Sequence, residues 1–391
     1  MAVRRALTGE VRGVVGPDRI PGLVALVATG DDVHVEAVGS LSVGGPPVHR
    51  DSLFRIASTT KPITGAVTMA LADEGIIRLD EPVSRLLPEL GAPRVLRRMD
   101  GALSETVRSE REITVGDLLT FTYGFGMHVG MFTSATPWPI VAAAAEAQLA
   151  TVGPPDPATA PTADEWIKRL GSLPLMAQPG ERWLYNTGAQ VLGVLCQRAA
   201  GAASYEAVLR SRVLEPLGMT GTSFVASDPS RLATAYVSTA SGLSVWDPAA
   251  GGAWSRPPAF EDAAAGLVST VDDLLTFARM FLRGGSPVLS RAAVAEMTRD
   301  QVTAGQRKGQ EAFLGDRSWG FCQSVIVSGD RAGAFGWDGG LGSSFLVDPI
   351  RDLVVIVLTQ RLWDSARPPA VHTDVQDAAY AAATSSASGE V

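Results

Sequence analysis

Leu353–Leu358 reads Leu-Val-Val-Ile-Val-Leu, six apolar residues in a row, four of them β-branched. A run that is apolar at every position, rather than at every second one, suits a central strand covered on both faces. Such a strand needs partners, and the chain offers them at both ends. Leu23–Ala28 and Val33–Val38 are short β-rich runs separated by Gly30, Asp31 and Asp32, a hairpin signal. Phe321–Val327 and Ser344–Val347 continue the pattern near the C-terminus. Between these ends the periodicity is helical: helices are expected at 60–73, 115–121, 188–200, 204–213 and 271–283, with another in the alanine-rich tail at 370–383. Strands from both termini with helices between them predict an α/β (α+β) fold. Residues 1–55 and 265–391 would form one discontinuous domain around an α-rich subdomain at 56–264. Catalytic groups would fall at the junction.

Composition narrows what such a fold could do. At 391 residues and 46% hydrophobic the chain exceeds the usual single-core size, in keeping with two subdomains. A net charge of −8 with only 19% charged residues argues against nucleic acid or an anionic membrane as partner. Met1–Glu10 contains Arg4 and Arg5 but no apolar stretch behind them, and no run reaches the length of a membrane span, so a cytoplasmic protein is expected. Cys196 and Cys322 lie far apart in apolar surroundings and read as buried thiols, and four scattered histidines form no metal-ligand cluster. No metal or organic cofactor is expected.

Only three of the thirty-three basic residues are lysines, and one of them, Lys61, follows Ser58 by three positions. Arginine does not deprotonate in a protein, whereas a lysine with a depressed pKa can act as a base. On a helix, residues three apart share a face, so Ser58 and Lys61 come within hydrogen-bonding reach. That is the geometry of an activated nucleophile; the plainer reading of Ser58 is a helix cap. Pro62 fits the first turn of such a helix. The stretch 124–161, with Trp138 and a proline-rich end, is too long for an ordinary connection. It is either a flap over a cleft or a surface insertion packed by its own apolar residues.

The segments Ile56–Ala66 and Leu71–Val83 resemble the active-site block of class C β-lactamase-type serine hydrolases, a family that includes D-alanyl peptidases and the family VIII carboxylesterases. Ile113–Thr120, Pro179–Tyr185, Glu215–Met219 and Ala265–Leu274 follow in the order that family shows. The resemblance implies a bacterial β-lactamase/transpeptidase-like enzyme, an antiparallel sheet flanked by helices, that forms an acyl-enzyme on Ser58. Lys61 and Tyr185 would move the proton, and the backbone N–H groups of Ser58 and Gly340 would hold the oxyanion. A tyrosinate at Tyr185, stabilised by the Lys61 ammonium, would serve as base; Tyr123 is the rival for that role.

The family's Tyr-x-Asn motif is altered here. Strict spacing puts Thr187 at the asparagine position, while a one-residue deletion would give the role to Asn186. The family's third motif, on the edge strand lining the site, matches Trp337, Asp338 and Gly339. Tryptophan stands there instead of a cation, as in family VIII esterases, and Asp338 would repel an anion. Tyr123, Phe125, Trp138 and Thr187 complete the residues expected to contact substrate. The reading is a carboxylesterase acting on small-molecule esters with short uncharged acyl groups. The alternatives are a β-lactamase or D-alanyl peptidase, or an acyltransferase serving an alcohol or amine.

Overall fold

The computed structural model describes residues 19–387, together with 8, 9, 11 and 13–16. Most of Met1–Glu10, which bears on the cytoplasmic expectation, lies outside the described residues. Seven strands form the main sheet: β1 (Gly22–Thr29), β2 (Asp32–Gly39), β3 (Ser318–Trp319), β4 (Ser324–Val325), β5 (Phe335–Gly339), β6 (Ser343–Asp348) and β7 (Leu353–Thr359). They run in the order β2-β1-β7-β6-β5-β4-β3, each neighbouring pair antiparallel.

β7 is central, as its composition requires. Ile356 stands opposite Leu26 on one side and Phe345 on the other. Its side chains alternate between two cores. Val354, Ile356 and Leu358 join the large core shared with the helices, and Leu353, Val355 and Val357 pack with Val371, Val375 and Ala379 of the C-terminal helix. Each such side chain, fully withdrawn from water, contributes about 1.5–3 kcal/mol. A charge at any of these positions would therefore be buried whichever face it took.

The helices that matter for the site are α1 (Thr60–Asp73), α2 (Val115–Leu119), α3 (Thr187–Ala199) and α4 (Val271–Leu282); α5 (Ala370–Ala387) covers the far face of the sheet. Of the fourteen residues of α1, twelve are buried, which makes it a core helix with no solvent face. α1 packs on α3 and on β5, so the helix that begins just after Ser58 is fixed from two sides.

Two expectations are corrected. Phe321–Val327 is not one strand: only Ser324 and Val325 pair, because Phe321 N–H bonds to the Met297 carbonyl and Cys322 N–H to the Leu119 carbonyl. Those bonds pull the chain off the sheet, with Cys322 at φ +59. Second, the strand carrying Trp337 is not an edge. β4 and β3 lie beyond it, and this has consequences for the charge of the site. The 204–213 expectation resolves into a helix at Tyr205–Leu209 followed by one wider turn at Arg210–Leu214. Among the described residues no helix is long and apolar enough to cross a membrane.

Candidate active site

Ser58 sits in a single 3-10 turn, Ala57–Thr59, that leads directly into α1. Ala57 has φ +42, a left-handed conformation that costs a non-glycine residue about 1–3 kcal/mol and persists only where the surroundings impose it. The surroundings are visible. Ser343 Oγ donates to the Ile56 carbonyl at 2.6 Å and lies 2.9 Å from Thr59 Oγ1, tying β6 to the turn on both sides of Ser58. Gly339 lets β5 approach as closely: a Cβ there would stand 2.2 Å from the Ile56 carbonyl oxygen. The Ser58 side chain caps nothing, so the helix-cap reading falls away.

Lys61, on the first turn of α1, is completely buried. Its Nζ donates to Ser58 Oγ at 2.8 Å and to the Ala264 carbonyl at 2.9 Å. Burial pushes its pKa down to about 7, with Asp262 and Cys322 acting in the opposite direction. Near neutral pH a large fraction of this amine is therefore unprotonated and can accept the serine proton. Asp262 was not foreseen. It is buried, accepts from Ala264 N–H at 2.8 Å and from Gln190 Nε2 at 3.2 Å, and so pins the loop whose Ala264 carbonyl faces Lys61.

Tyr185 occupies the place expected of it, but not in the expected protonation state. Lys61 Nζ lies over the face of its ring, 4.6 Å from the centroid, rather than at its hydroxyl. Burial raises the phenol well above its ordinary value; the neighbouring Ser58 hydroxyl and Trp337 indole oppose the rise without overcoming it. The tyrosinate expectation is thus corrected: Tyr185 is a neutral phenol that accepts from Trp337 Nε1 at 2.6 Å. Packing against Trp183, Phe313 and Trp337 holds the ring in place.

The altered second motif is resolved by backbone conformation. In an extended chain, Tyr and Asn two apart face the same side, whereas adjacent residues face opposite sides. Asn186 adopts φ +83 and ψ −63, a kink that brings it to the cleft wall beside Tyr185. Thr187 is fully buried at the start of α3, away from the cleft. Thr187, expected to contact substrate, does not line the cleft, whereas Asn186 does.

Ser58, Tyr185, Asn186, Asp262, Trp337, Asp338 and Gly340 open onto one cleft of about 640 Å³. Its outer walls are mostly apolar: Met127, Val129, Phe132 and Pro154 from the 124–161 stretch, Phe313, and Leu362 and Trp363 beyond β7. Gly340 is exposed in the turn between β5 and β6, and no acceptor for its N–H is found among the described residues. A donor so placed is available to an oxyanion. Gly339 acts by allowing close approach and does not itself line the cleft.

Three expected contact residues lie elsewhere. Tyr123 and Phe125 are core residues. The Tyr123 phenol is pushed far above its ordinary value by burial, with the Thr187 hydroxyl beside it acting the other way. Trp138 stacks on His128, ring centroids 5.6 Å apart, and lines a separate cavity of about 610 Å³. The sequence reading also missed a cation. Arg317, just ahead of β3, lies with its guanidinium carbon 4.9 Å from the Trp337 ring centroid and pairs with Asp338 at 3.2 Å. No cation was expected in the cleft, since tryptophan holds the place on its strand; Arg317 brings one in from two strands away. Among the described residues no cluster of His, Cys, Asp or Glu could hold a metal ion.

Comparison with known proteins identifies a family and a fold. A family model described as Beta-lactamase matches residues 8–379. Protein Rv1367c of Mycobacterium tuberculosis is 34% identical over 376 residues, covering 91% of this chain and 89% of that protein. Esterase EstB of Burkholderia gladioli is 30% identical over 391 residues, covering 93% and 91%. Among solved structures, "EstCE1, a hydrolase with promiscuous acyltransferase activity" superposes with a TM-score of 0.79 over 97% of this chain and 98% of that one. At 23% identity that likeness is one of fold.

Proposed function

This chain belongs to the beta-lactamase family, and from that premise we propose that it is a carboxylesterase that cleaves short, uncharged acyl esters through an acyl-enzyme on Ser58. The observation that carries the reading is the 2.8 Å contact between Lys61 Nζ and Ser58 Oγ, made by a lysine held near neutrality at the floor of a largely apolar cleft. The neutral Lys61 amine takes the Ser58 proton as Oγ bonds to the ester carbonyl carbon. The carbonyl oxygen becomes an oxyanion facing the N–H groups of Ser58 and Gly340. As the tetrahedral species collapses, the carbon–oxygen bond to the alcohol breaks, and the proton on Lys61 passes to the leaving alkoxide, which the Tyr185 hydroxyl beside Ser58 steadies. Water then repeats the sequence on the acyl-enzyme and releases the acid.

Ester selectivity is supported by Trp337 and by the absence of an uncompensated cation in the cleft, since Arg317 is paired with Asp338. Asn186, on the cleft wall, supplies the amide that strict motif spacing seemed to lack. A second reading, transfer of the acyl group to an alcohol or amine, is supported by the cleft volume, which leaves room for an acceptor beside the acyl chain. We place the enzyme in the cytoplasm, without nucleic acid or membrane as partner. The functional division remains 1–55 with 265–391 around 56–264, the 124–161 stretch being the flap.

The test is steady-state hydrolysis of p-nitrophenyl esters of increasing chain length beside a chromogenic cephalosporin, with Ser58→Ala as the control. Short esters are expected to turn over at least ~10²-fold faster than the cephalosporin, a difference of about 2.7 kcal/mol in transition-state binding. Faster turnover of the cephalosporin would overturn the esterase reading.

Asp262 provides a further check on the base. Its charge raises the Lys61 pKa, so removing that charge lets the pKa fall further below its present value of about 7. Asp262→Asn keeps an oxygen for the Ala264 N–H. The acid limb of the ester pH–rate profile is expected to move to lower pH in this variant. A limb that stayed in place would detach Asp262 from Lys61.

A further inference from the structure

The cleft wall contains an ion pair that the acylation chemistry does not use. Arg317 Nη1 donates to Asp338 Oδ2 at 3.2 Å and, more weakly, to Ser324 Oγ at 3.4 Å; Nε reaches the Leu314 carbonyl at 3.3 Å. No hydrogen bond found among the described residues uses Nη2. The contrast with other pairs in the molecule is informative. Arg111 grips Asp117 with two nitrogens at 2.6 and 2.8 Å, and Arg50 holds Asp272 through both Nε and Nη2. Arg317 gives Asp338 one nitrogen only, which leaves the guanidinium fork open. Both side chains line the same cleft as Ser58 and Tyr185, and the Arg317 side chain retains 24% of its exposure. The guanidinium lies over Trp337, whose indole holds Tyr185, so the open fork is one aromatic layer from the reacting groups.

We propose that Arg317 is a latent carboxylate-binding site in the cleft wall and that Asp338 occupies it, so that the cleft accepts uncharged acyl groups and rejects those ending in a carboxylate. This rests on the esterase reading and deepens it to a substrate class. A planar guanidinium with a free edge matches a carboxylate in geometry and charge. With Asp338 already there, a second carboxylate meets a pair of zero net charge and a like-charged neighbour, which is selectivity obtained by repulsion. Removing the charge of Asp338 leaves a three-quarters buried guanidinium without a counter-ion, a state that an anionic ligand relieves.

The experiment compares p-nitrophenyl hexanoate with mono-p-nitrophenyl adipate, two esters of equal chain length that differ in a terminal carboxylate. The parent enzyme is expected to favour hexanoate. In Asp338→Asn the adipate-to-hexanoate ratio of kcat/KM is expected to rise ~10-fold or more, equivalent to about 1.4 kcal/mol, and Arg317→Gln added to it is expected to abolish the gain. Arg317→Gln alone, which leaves Asp338 unpaired, is expected to lower the ratio and serves if Asp338→Asn fails to fold. An unchanged ratio in Asp338→Asn, or a gain that survives loss of Arg317, overturns the proposal. Calorimetry with monomethyl adipate in the Ser58→Ala background reads the site without turnover: tighter binding on Asp338→Asn supports it, and unchanged binding overturns it. Failure of the parent to hydrolyse hexanoate would strike the esterase reading instead, and the calorimetric arm would still decide this one.

Discussion

Replacing Lys61 with arginine is expected to lower the acylation rate by ~10³-fold and to remove the acid limb of the pH–rate profile near pH 7, while the fold is kept. General bases contribute about 10²–10⁴-fold, and arginine preserves the charge and the hydrogen bonds but has no accessible neutral form. Pre-steady-state release of p-nitrophenol across pH 5–10 measures both effects. A variant that kept a limb near pH 7 would assign the base to another group.

The same burial carries a thermodynamic signature. The Lys61 pKa is near 7 in the folded protein and near 10.5 for an ordinary lysine. Between those values the unfolded chain holds the proton and the folded chain does not, so stability rises with pH across that window. The penalty for burying the amine is fully present below about pH 7 and absent above about 10.5. A shift of this size corresponds to roughly 3–5 kcal/mol. Lys61→Met is therefore expected to melt at a higher temperature than the parent at pH 6.5, with the difference shrinking as pH rises toward 10. A site that destabilises the protein holding it is what a functional lysine, not a structural one, would produce.

What could be read in the sequence, and what could not, divides by the range of the interaction. Ser58 and Lys61 were legible because a helix turn fixes their relation locally, and β7 because an all-apolar run has one comfortable place in a sheet. Asn186 was not, because motif spacing counts residues whereas the cleft registers the φ of +83 that turns Asn186 toward Tyr185. Arg317 and Asp262 arrive from remote segments, one from ahead of β3 and the other from the loop before α4. Nothing in the sequence near Trp337 announces the first, and nothing near Lys61 the second. Tyr123 shows the converse error. It stands four residues beyond α2 in a segment rich in glycine and aromatics, yet it is turned inward to full burial. The helix content was legible where periodicity was long. The strand at Phe321–Val327 failed because two backbone bonds to Met297 and Leu119 outbid the sheet.

Tyr185→Phe and Tyr123→Phe are expected to part company more sharply than any other conservative pair in the molecule. The first removes the hydroxyl that accepts from Trp337 Nε1 and stands beside Ser58. A buried indole N–H is left without a partner, which costs about 1–3 kcal/mol, and the hydroxyl that steadies the leaving group is lost. Loss of ~10²–10⁴-fold in kcat/KM is expected. The phenylalanine ring keeps a face for Lys61, so the residual activity should still show its acid limb near pH 7. If that limb disappeared together with the hydroxyl, Tyr185 and not Lys61 would be the titrating base. Tyr123→Phe deletes a buried hydroxyl that lies outside the cleft, with the Thr187 hydroxyl beside it. Its stability is expected to change by no more than about 1 kcal/mol, and its activity to stay within about twofold, since at most one weak hydroxyl–hydroxyl contact is lost and the cleft is untouched. Paired melting curves and ester kinetics on the two variants separate a tyrosine that serves the reaction from one that only fills space.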